Sequence, residues 1–150
     1  MKLITLIYLL FVGSIGFVQA QSHFWTGNGG DDNWFNSANW DAGTVPDASS
    51  TVFIQDGFNV LISDAAAFAQ AIELEGAVHF TISNDLTFSG ELVVPQISSV
   101  FFTSGVISGG GTIQNDGLFK LQSFDMKEIS NITINNNDEF LVELCNQIQV

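Results

Sequence analysis

The residues that could do chemistry are few and mostly acidic. Glu73 and Glu75 stand two positions apart in the segment Ile72-Glu73-Leu74-Glu75. On a strand they share one face, about 6 to 7 Å apart, a separation suggestive of the paired carboxylates that cleave glycosidic bonds. The bland reading, a solvated outer face, is preferred. Asp31-Asp32 is an adjacent pair, but it lies in a Gly/Asn-rich segment where carboxylates mainly shape turns. His23 and His79 are far apart, and His79, between Val78 and Phe80, is expected on an outer strand face. Cys145 is the only cysteine and has no histidine near it in sequence, so it reads as a small apolar strand residue. No residue is assigned a catalytic role, and the chain is expected not to be an enzyme.

Two binding chemistries remain. Asn28, Asp31, Asp32 and Asn33 cluster side-chain oxygens on a Gly-rich loop, the ligand type that calcium prefers. Their spacing is not that of an EF-hand loop, and no transition-metal spacing of His and Cys is present. Capping and turning the chain is the simpler role, with calcium the one cofactor kept in view. Trp25, Trp34 and Trp40 could form a sugar-stacking platform through their aromatic faces. Three Trp in a chain that cannot form an internal disulfide read first as a plug over the end of a core.

Composition narrows the partners. The chain has 16 Asp and Glu against 3 Lys, no Arg, and a formal net charge of −13. Nucleic acid needs phosphate neutralisation by Lys or Arg, so it is excluded, and uronate polymers or anionic membranes meet the same repulsion. Neutral glycans and host or matrix proteins remain. Lys2, the apolar run Leu3 to Val18 and the small residues of Val18-Gln19-Ala20 predict a secretory signal peptide over residues 1–20. No later apolar run is long enough to span a bilayer, so the mature chain is expected not to insert, and a secreted or outer-surface location follows.

These features must be carried by strands. Apolar residues fall at Ile72, Leu74, Val78, Phe80, Ile82, Leu86, Phe88, Leu92 and Val94, always on even positions. This period of two is the signature of strands with one buried face. The run is too long for one strand, and Gly76, Asn84 and Gly90 punctuate it without changing its parity. Corners that all keep one face inward predict a β-solenoid, with about four coils of roughly 20 to 29 residues. An antiparallel β-sandwich with hairpins at Asp56-Gly57 and Asp116-Gly117 is the alternative. Residues 21–46 show turn chemistry rather than a strand period and are expected to form a loop-rich cap, with coils over 47–150. The Ala-rich stretch Ser63 to Ala71 is expected to be a loop or one helical turn. Phe140 to Val150 still reads as strand with no polar cap after it. The solenoid is therefore expected to be open at that end, continuing into a longer chain or pairing end to end with another strand edge.

The segment W-T-G-N-G-G-D-D-N-W-F-N-S-A-N-W-D-A-G-T-V-P-D, with Trp25, Gly27, Trp34, Asn39, Trp40 and Pro46 at its motif positions, resembles the start of large bacterial secreted and surface β-helix proteins. These include autotransporter-like adhesins and repeat proteins of the Bacteroidetes kind. Ser108 to Gly117 (S-G-G-G-T-I-Q-N-D-G) is similar to their Gly/Asn-rich coils. The resemblance implies an all-β, right-handed parallel β-helix with an N-terminal cap, and a structural or adhesive role outside the cell. A carbohydrate-binding module or polysaccharide-active enzyme on the same scaffold is the alternative.

Overall fold

A computed structural model of the protein describes residues 21–123 and 125–143. The expected signal peptide, Cys145 and the last part of the expected C-terminal strand lie outside them. The alternating segments become short strands in chain order: β1 (Gln21–Phe24), β2 (Ser50–Ile54), β3 (Asn59–Ile62), β4 (Ala67–Ala69), β5 (Ala71–Leu74), β6 (His79–Ile82), β7 (Leu86–Phe88), β8 (Glu91–Val94), β9 (Ser99–Phe102), β10 (Gly105–Ser108), β11 (Thr112–Asn115), β12 (Leu118–Gln122), β13 (Lys127–Ile129), β14 (Thr133–Asn136) and β15 (Glu139–Glu143). Among the described residues no helix is long and apolar enough to cross a membrane.

The strands stack into three sheets, ordered β1-β2-β5-β8-β11-β14, β13-β10-β7-β4 and β15-β12-β9-β6-β3. Every third strand from β2 onward therefore returns to the same sheet, one level further on. Register shows the coil length directly. Val52 pairs with Ile72, Ile72 with Leu92, Leu92 with Ile113 and Ile113 with Ile134, steps of 20, 20, 21 and 21 residues. All pairings between named strands are parallel, and the result is a β-solenoid of about 4 turns. The sandwich alternative is thereby overturned: Asp56-Gly57 and Asp116-Gly117 are corners between sheets rather than hairpins. The coil is also at the short end of the expected range, because strands of three to five residues fill each side.

The interior follows from the parity of the sequence. Ile72, Leu74, Val78, Phe80, Ile82, Leu86, Phe88, Leu92 and Val94 are all buried, and Thr81, Thr87 and Val93 between them face outward. Stacked strands lie about 4.8 Å apart, so inward side chains pile on their counterparts: Val60 on Phe80 on Val100 on Phe119 on Phe140. The rings of Phe119 and Phe140 lie 5.3 Å apart and nearly parallel.

Corners are tied by polar side chains rather than by apolar burial. Asp56 accepts a 2.6 Å hydrogen bond from the Ala77 N–H, and Ser98 donates to the Gly76 carbonyl at 2.6 Å. On the next side Asn84 donates to the Ser63 carbonyl and Ser104 to the Ser83 carbonyl. At the third corner Gly109 has φ +119 and lies directly against the Phe88 backbone, a place where a Cβ has no room.

The Ala-rich stretch does not form a helical turn. Ala67 and Ala69 point inward from β4, paired with Leu86 and Phe88 of β7. Alanine's intrinsic preference for helix is worth only tenths of a kcal/mol per residue, less than the ladder bonds and burial that the stacked neighbour offers. The expected cap also contains a strand. β1 pairs with β2 as the first level of the six-stranded sheet.

Replacing Phe80 by Ala empties a ring from the middle of the stack and is expected to cost about 3–5 kcal/mol. Thr81→Ala, one residue on and outward-facing, is expected to change stability by under about 0.5 kcal/mol. Urea unfolding followed by far-ultraviolet circular dichroism would compare the two. Equal losses would contradict the in–out assignment.

Candidate functional site: a tryptophan plug and its asparagine clasp

The segment before β2 closes one end of the solenoid. Its backbone joins two of the three sheets: β1 covers β2, and Asp32 to Trp34 runs beside β3, with Leu61 N–H donating to the Asp32 carbonyl at 2.7 Å and Trp34 N–H to the Leu61 carbonyl at 3.0 Å. Trp25, Trp34 and Trp40 are only 3%, 0% and 2% exposed. Trp40 is the hub, meeting Trp25 and Trp34 edge to face at 4.9 Å each, and its indole N–H donates to the Trp34 carbonyl at 2.7 Å. Trp34 in turn stacks on Phe80 at 6.0 Å, which connects the plug to the core column. The rings have no open face for a sugar, so the platform considered for these three residues is replaced by the plug.

Among the described residues the Trp34 indole N–H has no hydrogen-bond partner. An unpaired buried donor costs roughly 1–3 kcal/mol. A buried Trp removes about 150–250 Å² from water, worth on the order of 4–6 kcal/mol at about 25 cal/mol/Å². Burial wins.

Of the four residues considered as calcium ligands, Asp31 and Asn33 turn their side-chain oxygens toward the chain itself. Asn39, fully buried, donates from its amide to the Asp31 carbonyl (3.0 Å), the Asp31 carboxylate (2.7 Å) and the Asn33 carbonyl (3.1 Å), while its own oxygen accepts from the Gly29 N–H (2.8 Å). Asp31 also accepts from the Asn36 amide at 3.0 Å and the Asn33 N–H at 3.1 Å. Asn33 accepts from the Phe35 N–H at 2.9 Å and donates to Asp64 at 2.8 Å. Asn36 caps the 3-10 turn Ser37–Asn39 by accepting from the Ala38 N–H. Asn28 is exposed, with its N–H on the Thr26 hydroxyl, and Asp32 is exposed. Among the described residues no three of His, Cys, Asp and Glu are grouped as a metal site.

These bonds hold the Asp31 carboxyl below the usual carboxylate range, the Asn36 amide first, then the Asn39 amide and the Asn33 N–H. Asp47 is lowered likewise, chiefly by the Ser49 hydroxyl and N–H. Sequence reading found Asp31 but missed Asn39, whose type in a W-x-x-x-x-N-W spacing gives no hint that it is buried. It also missed His23, which is buried on β1, with Nε2 3.1 Å from the Thr44 hydroxyl and its ring edge-on to Trp40.

The other candidates do not converge. Glu73 and Glu75 are exposed, Glu73 on the outer side of the six-stranded sheet and Glu75 at the corner after it. His79 faces outward as expected, stacked on Phe101 at 6.3 Å. In comparison with known proteins, no family profile, no curated protein and no solved structure matches the chain. The solenoid architecture rests on strand register alone.

Removing the Asn39 amide strands the groups it satisfies, so Asn39→Ala is expected to cost about 1–3 kcal/mol and to red-shift tryptophan emission as water reaches the plug. Acid should act on the same clasp. Because the folded Asp31 and Asp47 values are lowered, their contribution is complete above the ordinary Asp value, about 4, and is lost as pH falls through the folded values. Tryptophan emission and melting temperature measured from neutral pH downward should stay flat to about pH 4 and fall below it. The fall should be blunted in Asp31→Asn.

Proposed function

We propose that the protein is a non-catalytic, exported structural or adhesive solenoid displayed outside the cell. The observation that carries this reading is the division of the chain by side-chain direction. The aromatic plug and aliphatic columns are spent on the interior, and most of the sequence variety stands on flat outer ladders. Such ladders offer broad faces to partners without a concave pocket of convergent acids, which a hydrolase needs.

Several features support it further. The charge of −13 keeps the solenoid soluble and repels polyanions, leaving proteins and neutral glycans as partners. The apolar N-terminal run supports export. A stack of about 4 turns built from Gly, Ser, Thr and Asn corners holds together without a disulfide. At the other end of the solenoid β13, β14 and β15 are edge strands, and Ile129, Ile132, Ile134 and Phe140 are only partly buried. Strand pairing with a further coil would extend the ladders there.

The test is adhesion of the purified chain to a panel of immobilised matrix proteins and neutral polysaccharides, alongside a hydrolysis assay on the same polysaccharides. Binding is expected, with no turnover for Glu73→Gln or Glu75→Gln to remove. Turnover lost in either variant would replace this reading with a glycosidase.

A further inference from the structure

One outward row combines an exposed aromatic pair with an unpaired carboxylate. On the outer side of the six-stranded sheet, Phe24 pairs in register with Phe53, Phe53 with Glu73 and Glu73 with Val93. The side chains of Phe24 and Phe53 therefore stand side by side on adjacent strands, rings 4.8 Å apart and 14° from parallel. Phe24 is 40% exposed, and Phe53 is half-buried. Neither ring belongs to the core; the two pack against each other as a cross-strand aromatic pair and leave ring surface open to solvent. The pair is held on rigid backbone. Phe24 donates from its N–H to the Asp41 carboxylate at 2.8 Å and accepts from the Asp41 N–H at 2.9 Å.

Among the described residues the charge beside the rings has no counterpart. Glu73 is exposed, and among the described residues it has no ion pair or side-chain hydrogen bond. Beyond Lys2 the sequence has only Lys120 and Lys127 as cations. Both lie at the far coils and are occupied: Lys120 is 2.8 Å from Glu143, and Lys127 donates to the Ser123 and Asp125 carbonyls. A cation against the ring face that the Phe24–Phe53 stack leaves open on the Glu73 side would gain from its negative charge, and the carboxylate on the next strand would complete its charge. A planar guanidinium suits stacked rings better than a compact ammonium.

We propose that the row Phe24–Phe53–Glu73 is the docking site for an arginine side chain on a basic partner protein. This rests on the reading that the solenoid's outer ladders engage partners, and it names the face and the chemistry of that partner.

The probe is a short peptide of alternating Arg and Gly, with its Lys-Gly counterpart for comparison, titrated into the full chain at low ionic strength and followed by nuclear magnetic resonance. Shifts centred on Phe24, Phe53 and Glu73 are expected, with Arg-Gly binding more tightly than Lys-Gly. Phe53→Leu and Glu73→Gln should each weaken binding about three- to ten-fold. Asp138→Asn, an equal charge change on a distant corner, should change it less than about two-fold. Unchanged melting temperature checks that each variant folds. Equal losses for Glu73→Gln and Asp138→Asn, or none for Phe53→Leu, would reduce the effect to general attraction by an acidic protein and overturn the site. Were the variants to adhere to matrix proteins as the unaltered chain does, the site would fall while the adhesive role stood. An unaltered chain that adheres to nothing would remove that role, and the peptide titration would still decide the site.

Discussion

A parallel ladder spaces successive coils about 4.8 Å apart, which leaves each inward side chain in contact with the one above and the one below. That spacing governs the rest of the molecule. It requires each coil to return with its inward positions aligned, and the 20- and 21-residue steps of the Val52–Ile72–Leu92–Ile113–Ile134 column meet the requirement. Extra residues are absorbed at corners. The Gly109-Gly110-Gly111 run lets the backbone pass close to Phe88 and enter β11 in register. Side chains then stack as like on like, apolar in the columns and polar at corners such as Asn115 on Asn136, joined by a 2.6 Å amide hydrogen bond.

A stack of identical levels has no natural end, because its first level exposes both ladder edges and core. Here the first level is closed by combining two kinds of interaction. The three Trp rings supply area, and the Asn39–Asp31–Asn36 clasp supplies hydrogen bonds to backbone that belongs to no sheet. The rings reach the core column through Trp34 on Phe80, and the clasp ties the Gly-containing loop that carries them. The acidic loop thus has a structural task before any ligand is considered.

On the outside of the solenoid the same geometry brings residues of different coils together. Each outward column repeats a position from level to level, so the side chains of distant sequence segments meet. Phe24 and Phe53 are 29 positions apart and stack in register, and His79 meets Phe101 diagonally across β6 and β9. Among the described residues the acidic side chains are spread over exposed corners and ladders.

The alternation from Ile72 to Val94 made the interior legible, because a period of two with one apolar face survives any corner that preserves parity. The solenoid and the outward Glu73, Glu75 and His79 could be read in this way, whereas the Trp plug was read from residue type in a segment without a strand period. The β4 strand could not, since Ala67 and Ala69 take their conformation from Leu86 and Phe88 one level on. Nor could β1, because its inward residue His23 does not look apolar, or Asn39, because burial of an amide depends on acceptors brought from Asp31 and Asn33. Local periodicity fixes which side of a strand faces in, and it is a property of the chain alone. Which strand lies on which, where the stack closes and which outward residues become neighbours depend on contacts between coils some 20 residues apart, and only the folded solenoid makes those contacts.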